Sequence, residues 1–255
     1  MGDHGGRKVS LTVMRPVDRS VLVVVPALNE QESVADVVED VRRVMPGAAC
    51  VVVDDGSEDA TGDRARQAGA IVLTLPYNLG VGGAMRAGFR YARAHDYEVV
   101  VQVDADGQHD PSDIPSLIEG LAEADLVVGS RFAGVGDYAV VGPRRWAMSF
   151  LAWTLSRIAG TTLTDVTSGF KAAGPRAVKL FAAEFPAEYL GDTVEALVIA
   201  ARAGLKITQR PVEMRTRQAG RPSQRPFRAA IHLGRACMAL ALAMIRPRAT
   251  LGGTS

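Results

Sequence analysis

Apolar and polar positions alternate along this chain with two periods. Val21–Val25 is an unbroken, mostly β-branched apolar run, the mark of a strand buried on both faces. It ends at Pro26-Ala27-Leu28-Asn29-Glu30, and Val34, Val37, Val38, Val41 and Val44 then recur at helical spacing until Pro46-Gly47 stops them. Cys50–Val53 predicts a second strand, ending at Asp54-Asp55-Gly56-Ser57, and a polar helix follows to about Gln67, closed by Gly69. Ile71–Leu75, Val99–Val103 and Leu126–Val128 predict three more strands. Helices are expected between them at Gly82–Ala94 and Pro111–Ala124, the second with proline near its start. Strands alternating with helices specify βαβ units, hence an α/β fold with a mainly parallel, Rossmann-like sheet flanked by helices.

After Arg131 this rhythm breaks. Phe132–Gly142 reads as a glycine-rich loop, and Arg145–Ala159 as an amphipathic helix carrying Trp146, Phe150, Trp153 and Leu155. Thr167–Ala173 predicts a short strand, Gly191–Ala203 a helix, Lys206–Val212 a strand and Phe227–Ile245 a last, alanine-rich helix.

Composition changes this picture in three ways. The two cysteines, Cys50 and Cys237, have no metal-binding spacing and form no disulfide framework, which fits a reducing cytosol. Residues 1–19 lack an apolar core and are expected to be a disordered tail, not a signal peptide, and no apolar run reaches the ~20 residues that span a bilayer. The net charge of +1 hides an asymmetry: residues 1–201 carry 18 Lys/Arg against 27 Asp/Glu, and residues 202–255 carry 11 against Glu213 alone. A basic end on an acidic body predicts an anionic partner. Nucleic acid is disfavoured, because Phe227 is almost the only aromatic among those arginines and no nucleic-acid motif is present.

The candidate chemistry sits at strand ends, where open α/β sheets bind ligands. Asp104-Ala105-Asp106-Gly107-Gln108 follows the fourth strand. Two carboxylates two residues apart, with a glycine for a sharp bend, are hard oxygen ligands suited to Mg²⁺ or Mn²⁺ holding a diphosphate. The bland alternative is a solvated acidic turn. Pro26–Glu30 and Asp54–Ser57 end the first and second strands; Asn29 and Ser57 have a competing reading as helix caps. Asn78-Leu79-Gly80-Val81-Gly82-Gly83 leads into a helix and, beside a metal site, offers backbone or Arg86 to a diphosphate, although it lacks the Lys-Ser/Thr of a P-loop.

These four motifs, in this order and at these separations, resemble the nucleotide-sugar site of inverting GT-A glycosyltransferases of family 2. Gly129-Ser130-Arg131, Val166-Thr167-Ser168-Gly169-Phe170 and Arg217-Gln218-Ala219-Gly220-Arg221-Pro222-Ser223 resemble the dolichyl/polyprenyl-phosphate sugar transferase branch. The resemblance implies a GT-A domain over 20–225, with a nucleotide-sugar half at 20–131 and an acceptor half at 132–225, followed by a basic amphipathic helix and tail at 226–255. It implies that Pro26, Leu28, Asn29, Glu30, Asp54 and Asp55 hold the nucleoside, and that Gly80, Asp104, Ala105, Asp106 and Ser223 complete the donor site. Asp104, Asp106 and Gln108 would ligate Mg²⁺ or Mn²⁺; Arg131, with Arg144 or Arg145, would hold an acceptor phosphate; Arg217 and Ser223 would close over the diphosphate. The donor implied is a nucleotide diphosphate sugar, GDP-mannose or a UDP-hexose, and the acceptor a polyprenyl phosphate at the cytoplasmic membrane face. The chain departs from the pattern at Gln224, where lysine is common, and lacks the transmembrane helices many members carry.

The implied reaction is displacement at the anomeric carbon through an oxocarbenium-like transition state, with the metal as Lewis acid for the leaving diphosphate and Asp106, Arg131 and Arg217 among the catalytic groups. An anionic lipid phosphate needs no general base, only arginines to place it. A sugar hydroxyl acceptor needs one, and Asp192 is the candidate; its competing role is to cap the helix from Thr193. A non-catalytic nucleotide-sugar-binding subunit is the remaining alternative, disfavoured by the intact Asp104, Asp106, Gln108, Arg131 and Arg217. In the tail, Arg228, His232 and Arg235 share one helical face while Ile231, Met238, Leu242 and Ile245 share another. That pattern predicts either packing on the domain or peripheral contact with an anionic membrane surface or a small membrane-protein partner.

Overall fold

Residues 20–131, 152–186 and 192–215 are described by a computed structural model. The expected disordered tail over 1–19, the loop expected over 132–142, the first part of the helix expected over 145–159 and the helix expected over 227–245 lie outside them.

Seven strands form one sheet: β1 (Val21–Ala27), β2 (Ala49–Asp54), β3 (Ile71–Thr74), β4 (Val99–Gln102), β5 (Leu126–Ser130), β6 (Lys171–Ala173) and β7 (Ile207–Pro211). Their order is β3-β2-β1-β4-β6-β5-β7. Only β6 runs antiparallel, to β4 on one side and β5 on the other; the remaining neighbours are parallel. Hence β4 and β5 point the same way, and the carboxyl ends of β1, β2, β4 and β5 share one edge. From β1 the chain builds outward to β2 and β3, then crosses back to β4 on the other side of β1. The crevice between β1 and β4 is therefore a topological switch point, where such sheets take ligands.

The valine run of β1 is buried because both faces of the sheet are covered. Leu22 and Val24 join a core with α3 (Gly80–Ala94), α6 (Pro175–Glu184) and α7 (Asp192–Arg202). Val21, Val23 and Val25 join a second core with α1 (Val34–Val44), α2 (Thr61–Gln67) and α4 (Ile114–Gly120). Among the described residues α5 spans 152–159, with Leu155 in the core and Trp153 exposed beneath the Arg157 guanidinium, 4.9 Å from the ring centroid. Cys50 is buried, which pushes its thiol up to about 12 and leaves it unreactive near neutral pH.

Three elements differ from the sequence expectation. The helix expected over Pro111–Ala124 begins as a 3₁₀ turn, Pro111–Asp113, before α4; Asp110 caps it by accepting from the Ser112 N–H at 2.9 Å. The strand expected from Thr167 pairs only at Lys171–Ala173. The sequence reading missed α6 altogether. Its signal was present in Pro175 at the start and in Ala177, Val178, Leu180 and Phe181 on one face. Phe181 and Phe185 pack with Phe89 of α3, all ring centroids 5.1–5.2 Å apart.

Candidate functional site

A cleft of about 450 Å³ opens at the switch point, lined by Pro26 and Ala27 at the end of β1, Leu28 and Glu30 after it, Asp55 after β2, Asn78, Gly80, Val81 and Ala84 at the start of α3, and Asp104, Ala105 and Asp106 after β4. The sequence-predicted donor residues thus converge, with five exceptions. Asn29, Asp54 and Gln108 do not line the cleft, and Arg217 and Ser223 lie outside the described residues.

Asn29 and Ser57 do not cap helices. Asn29, in the left-handed region at φ 55°, donates its N–H to Ser57 Oγ at 3.0 Å, and its Oδ1 accepts from the Glu58 N–H at 2.9 Å. The Glu30 N–H donates to Thr61 Oγ1 at 2.8 Å. These bonds lace the loop after β1 to the segment after β2, so the two strand-end motifs form one wall. Asp54 is buried and accepts from the Ser57 N–H at 3.0 Å.

Asp55 revises the reading of the glycine-rich loop. Its two carboxylate oxygens accept from the N–H groups of Leu79 at 2.7 Å and Gly80 at 2.8 Å. Asp55 therefore occupies the place at the α3 N-terminus where a phosphate would sit, and those two amides are not offered to a diphosphate. Burial pushes its carboxyl above the usual carboxylate value, against the two amide bonds that pull it down, with the Asp54 charge adding to the rise. Arg86 is directed away from the cleft as well: its Nη2 donates to the Ala183 carbonyl of α6 at 3.3 Å.

The Asp104 side chain is 39% exposed at the cleft floor. Gly107, at φ 75°, makes the turn that brings the Gln108 N–H to Asp106 Oδ1 at 3.0 Å. Three neighbours surround Asp104: Gln102 and His109, to which sequence reasoning assigned no role, and Gly169 of the Val166–Phe170 motif. Buried Gln102 donates to its Oδ1 at 3.3 Å. Buried His109 accepts the Asp104 N–H on Nδ1 at 3.1 Å, so its neutral ring carries the proton on Nε2, which lies 3.6 Å from Asp104 Oδ2. That ring stacks on Phe170, with centroids 4.8 Å apart and planes within 13°. Gly169, beside Phe170, approaches so closely that a Cβ there would stand 2.9 Å from Asp104 Oδ2.

Arg131, after β5, forks onto Asp165: Nε donates to Oδ2 at 2.7 Å and Nη2 to Oδ1 at 3.0 Å, with a further bond from Nη2 to Thr167 Oγ1 at 2.9 Å. Asp165 is fully buried; burial alone would raise its carboxyl, but the Arg131 guanidinium outweighs this and holds it below the usual range. Arg144, Arg145, Arg217 and the side chain of Asp192 lie outside the described residues; Asp192 itself begins α7. Among the described residues no three His, Cys, Asp or Glu cluster to hold a metal, and no helix is long and apolar enough to cross a membrane.

Known proteins match this arrangement. The undecaprenyl-phosphate mannosyltransferase of Micrococcus luteus is 36% identical over 209 residues, covering 78% of this chain and 85% of the relative. The polyprenol monophosphomannose synthase of Mycolicibacterium smegmatis is 35% identical over 167 residues, covering 62% of this chain and 63% of the relative. Among solved structures, the glucosyl-3-phosphoglycerate synthase of Mycobacterium tuberculosis in complex with Mn²⁺, uridine diphosphate and glucosyl-3-phosphoglycerate superposes with a TM-score of 0.69 at 24% identity, covering 90% of this chain and 81% of that one, and shares the GT-A fold. The family model for glycosyl transferase family 2 matches residues 22–178, and with the cleft, the sheet order and the motifs in agreement, the chain is a glycosyltransferase of family 2.

Proposed function

We propose that this enzyme moves a hexose from a nucleotide diphosphate sugar to a polyprenyl phosphate, with a divalent ion on Asp104, Asp106 and Gln108. The observation that carries the reading is the convergence of Asp104 and Asp106 with Pro26, Leu28, Glu30 and Asp55 on one cleft at the switch point of a family 2 chain. The acceptor class rests on the names of the relatives, which transfer mannose to undecaprenyl phosphate or make polyprenol monophosphomannose.

The residues fit a hard cation. Mg²⁺ and Mn²⁺ take one or two protein carboxylates plus substrate phosphates, so a cluster of three acids is not required. Asp104 presents a partly exposed carboxylate at the cleft, and Asp106 stands on the cleft lining with its Oδ1 accepting from the Gln108 N–H. The bound ion would supply charge neutralisation for the departing diphosphate. The laced wall Pro26–Glu30/Asp54–Ser57 encloses the nucleoside, and Leu28, exposed at its edge, offers an apolar contact for the base. Arg131 enters with its guanidinium already oriented by Asp165, so little freedom is lost when it meets an acceptor phosphate. An acceptor phosphate oxygen is itself the nucleophile, so no protein base is needed. Arg217 and Ser223 belong to this reading as donor-diphosphate contacts, by their motif.

Purified enzyme given GDP-mannose and UDP-hexoses with Mn²⁺ or Mg²⁺ is expected to form a glycosyl lipid only when a short polyprenyl phosphate is present. Transfer to a sugar hydroxyl without any lipid phosphate would overturn the acceptor. Asp104→Ala is expected to abolish metal-dependent turnover, and full retained activity would overturn the metal site.

A further inference from the structure

Next to the cleft, outside its lining, one guanidinium ties three segments together. The residues that follow β7 run back along the loop after β4. The Glu213 N–H donates to Asp113 Oδ2 at 3.0 Å, Met214 bridges His109 in antiparallel fashion, and the Arg215 N–H donates to the Gln108 carbonyl at 2.9 Å. The Arg215 side chain then forks onto Asp110, Nε to Oδ2 at 2.9 Å and Nη2 to Oδ1 at 2.7 Å, while Nη1 reaches Asp40 Oδ2 of α1 at 2.6 Å.

Four of these contacts fall on the proposed ligand Gln108 and the two residues after it, His109 and Asp110. Its backbone is held from both sides: its N–H by Asp106 Oδ1 and its carbonyl by the Arg215 N–H. The second bond survives only while residue 215 keeps its place, and the three side-chain bonds keep it there. A fork onto one carboxylate and a third bond to another is geometry that guanidinium offers and a single ammonium does not. Burial would raise the Asp40 carboxyl, but the Arg215 and Arg43 guanidiniums hold it below the usual range, which agrees with a formed ionic joint.

We infer that Arg215 is a positioning residue for the metal-ligand loop, setting Gln108 and through it the affinity for a divalent ion bound with a nucleoside diphosphate. The inference rests on the metal reading proposed above. It is tested by electron paramagnetic resonance of Mn²⁺ added to the full chain with saturating GDP or UDP. Arg215→Ala and Arg215→Lys are expected to raise the Mn²⁺ dissociation constant by about 10–100-fold, the usual cost of removing an outer-shell partner. In a Gln108→Ala background, Arg215→Ala is expected to cost no further Mn²⁺ affinity. Unchanged Mn²⁺ affinity in both Arg215 variants, or losses that add independently of Gln108, would overturn the inference, whatever the change in thermal midpoint. Should Arg215→Ala fail to fold, Asp110→Asn weakens the same fork at constant size and is read in the same way. If the wild-type chain binds no Mn²⁺ with either diphosphate, the metal reading and this inference fall together. If it binds and the Arg215 variants bind equally well, only this inference falls.

Discussion

Gly169 stands closer to the Asp104 carboxylate than any side chain permits: a Cβ would lie 2.9 and 3.1 Å from its two oxygens. Gly169→Ala therefore has to push Asp104 toward the cleft or pull Phe170 off the His109 ring. The contact is relieved by a shift of a few tenths of an ångström at the end of the Asp104 side chain, less than the ~1 Å misplacement that costs about 100-fold in rate. The expected outcome is a measurable loss of kcat/KM, smaller than about 100-fold, with a thermal midpoint close to wild type; a variant of normal activity would show that Asp104 is not held at this contact. Arg131 and Asp165 give a second prediction at this scale. Removing one member of a buried pair costs about 3–5 kcal/mol, and Asp165→Ala is expected at the lower end because Arg131 stays partly exposed. The pH dependence follows from the sign of the shift. Asp165 titrates lower in the folded chain than in the unfolded one, so its contribution is complete above about pH 4, the ordinary aspartate range, and fades as pH falls through the lowered native value. Urea unfolding between pH 3 and 6 is expected to show a smaller acid-induced loss of stability in Asp165→Asn than in wild type.

The α3 helix illustrates what the element scale adds. Its entry, Asn78–Gly83, reads in the sequence as a phosphate cradle, yet Asp55 fills that place and accepts from Leu79 and Gly80. Asp55→Ala removes a helix-terminal acceptor and is expected to destabilise the fold by about 1–2 kcal/mol in urea, the range of a lost cap. Asp55→Asn, which retains one acceptor oxygen, is expected to fall between. Equal stability of all three would show that the α3 start is held by other contacts. The parallel strands were legible because each is a short, fully apolar run: β1, β2 and β4 end within two residues of the expected positions. The strand-end carboxylates were legible because βαβ order alone puts them at one edge. What pairs across distance was not. β6 has three residues and is defined by its antiparallel neighbours β4 and β5, a relation that local periodicity does not encode. His109 and Phe170 are 61 positions apart in the chain and meet only through that pairing, as do Arg131 and Asp165 through the loop that precedes it. The α6 helix was missed although its apolar face is regular, because it falls where the alternation of strands and helices had already lapsed.

At the scale of the whole molecule, the sheet collects acidic and backbone groups at the one edge where the nucleotide sugar is proposed to bind, while the sequence places its cationic excess toward the end of the chain. Residues 202–255 hold 11 Lys/Arg and one acid, against the acidic excess of residues 1–201. On the proposed function a lipid-linked acceptor would bring its phosphate to the enzyme at a charged surface, and basic residues near such a surface contribute about 1 kcal/mol each before screening. No described helix provides an alternative anchor by crossing the bilayer. The full chain is therefore expected to float with vesicles containing anionic lipid and to remain behind with neutral phosphatidylcholine vesicles. Raising the salt from about 0.05 to about 0.5 M shortens the Debye length by about threefold and should release it. Salt-insensitive flotation would point instead to apolar insertion of the Phe227–Ile245 face, and no flotation under either condition would leave the lipid phosphate to be reached through a membrane-protein partner.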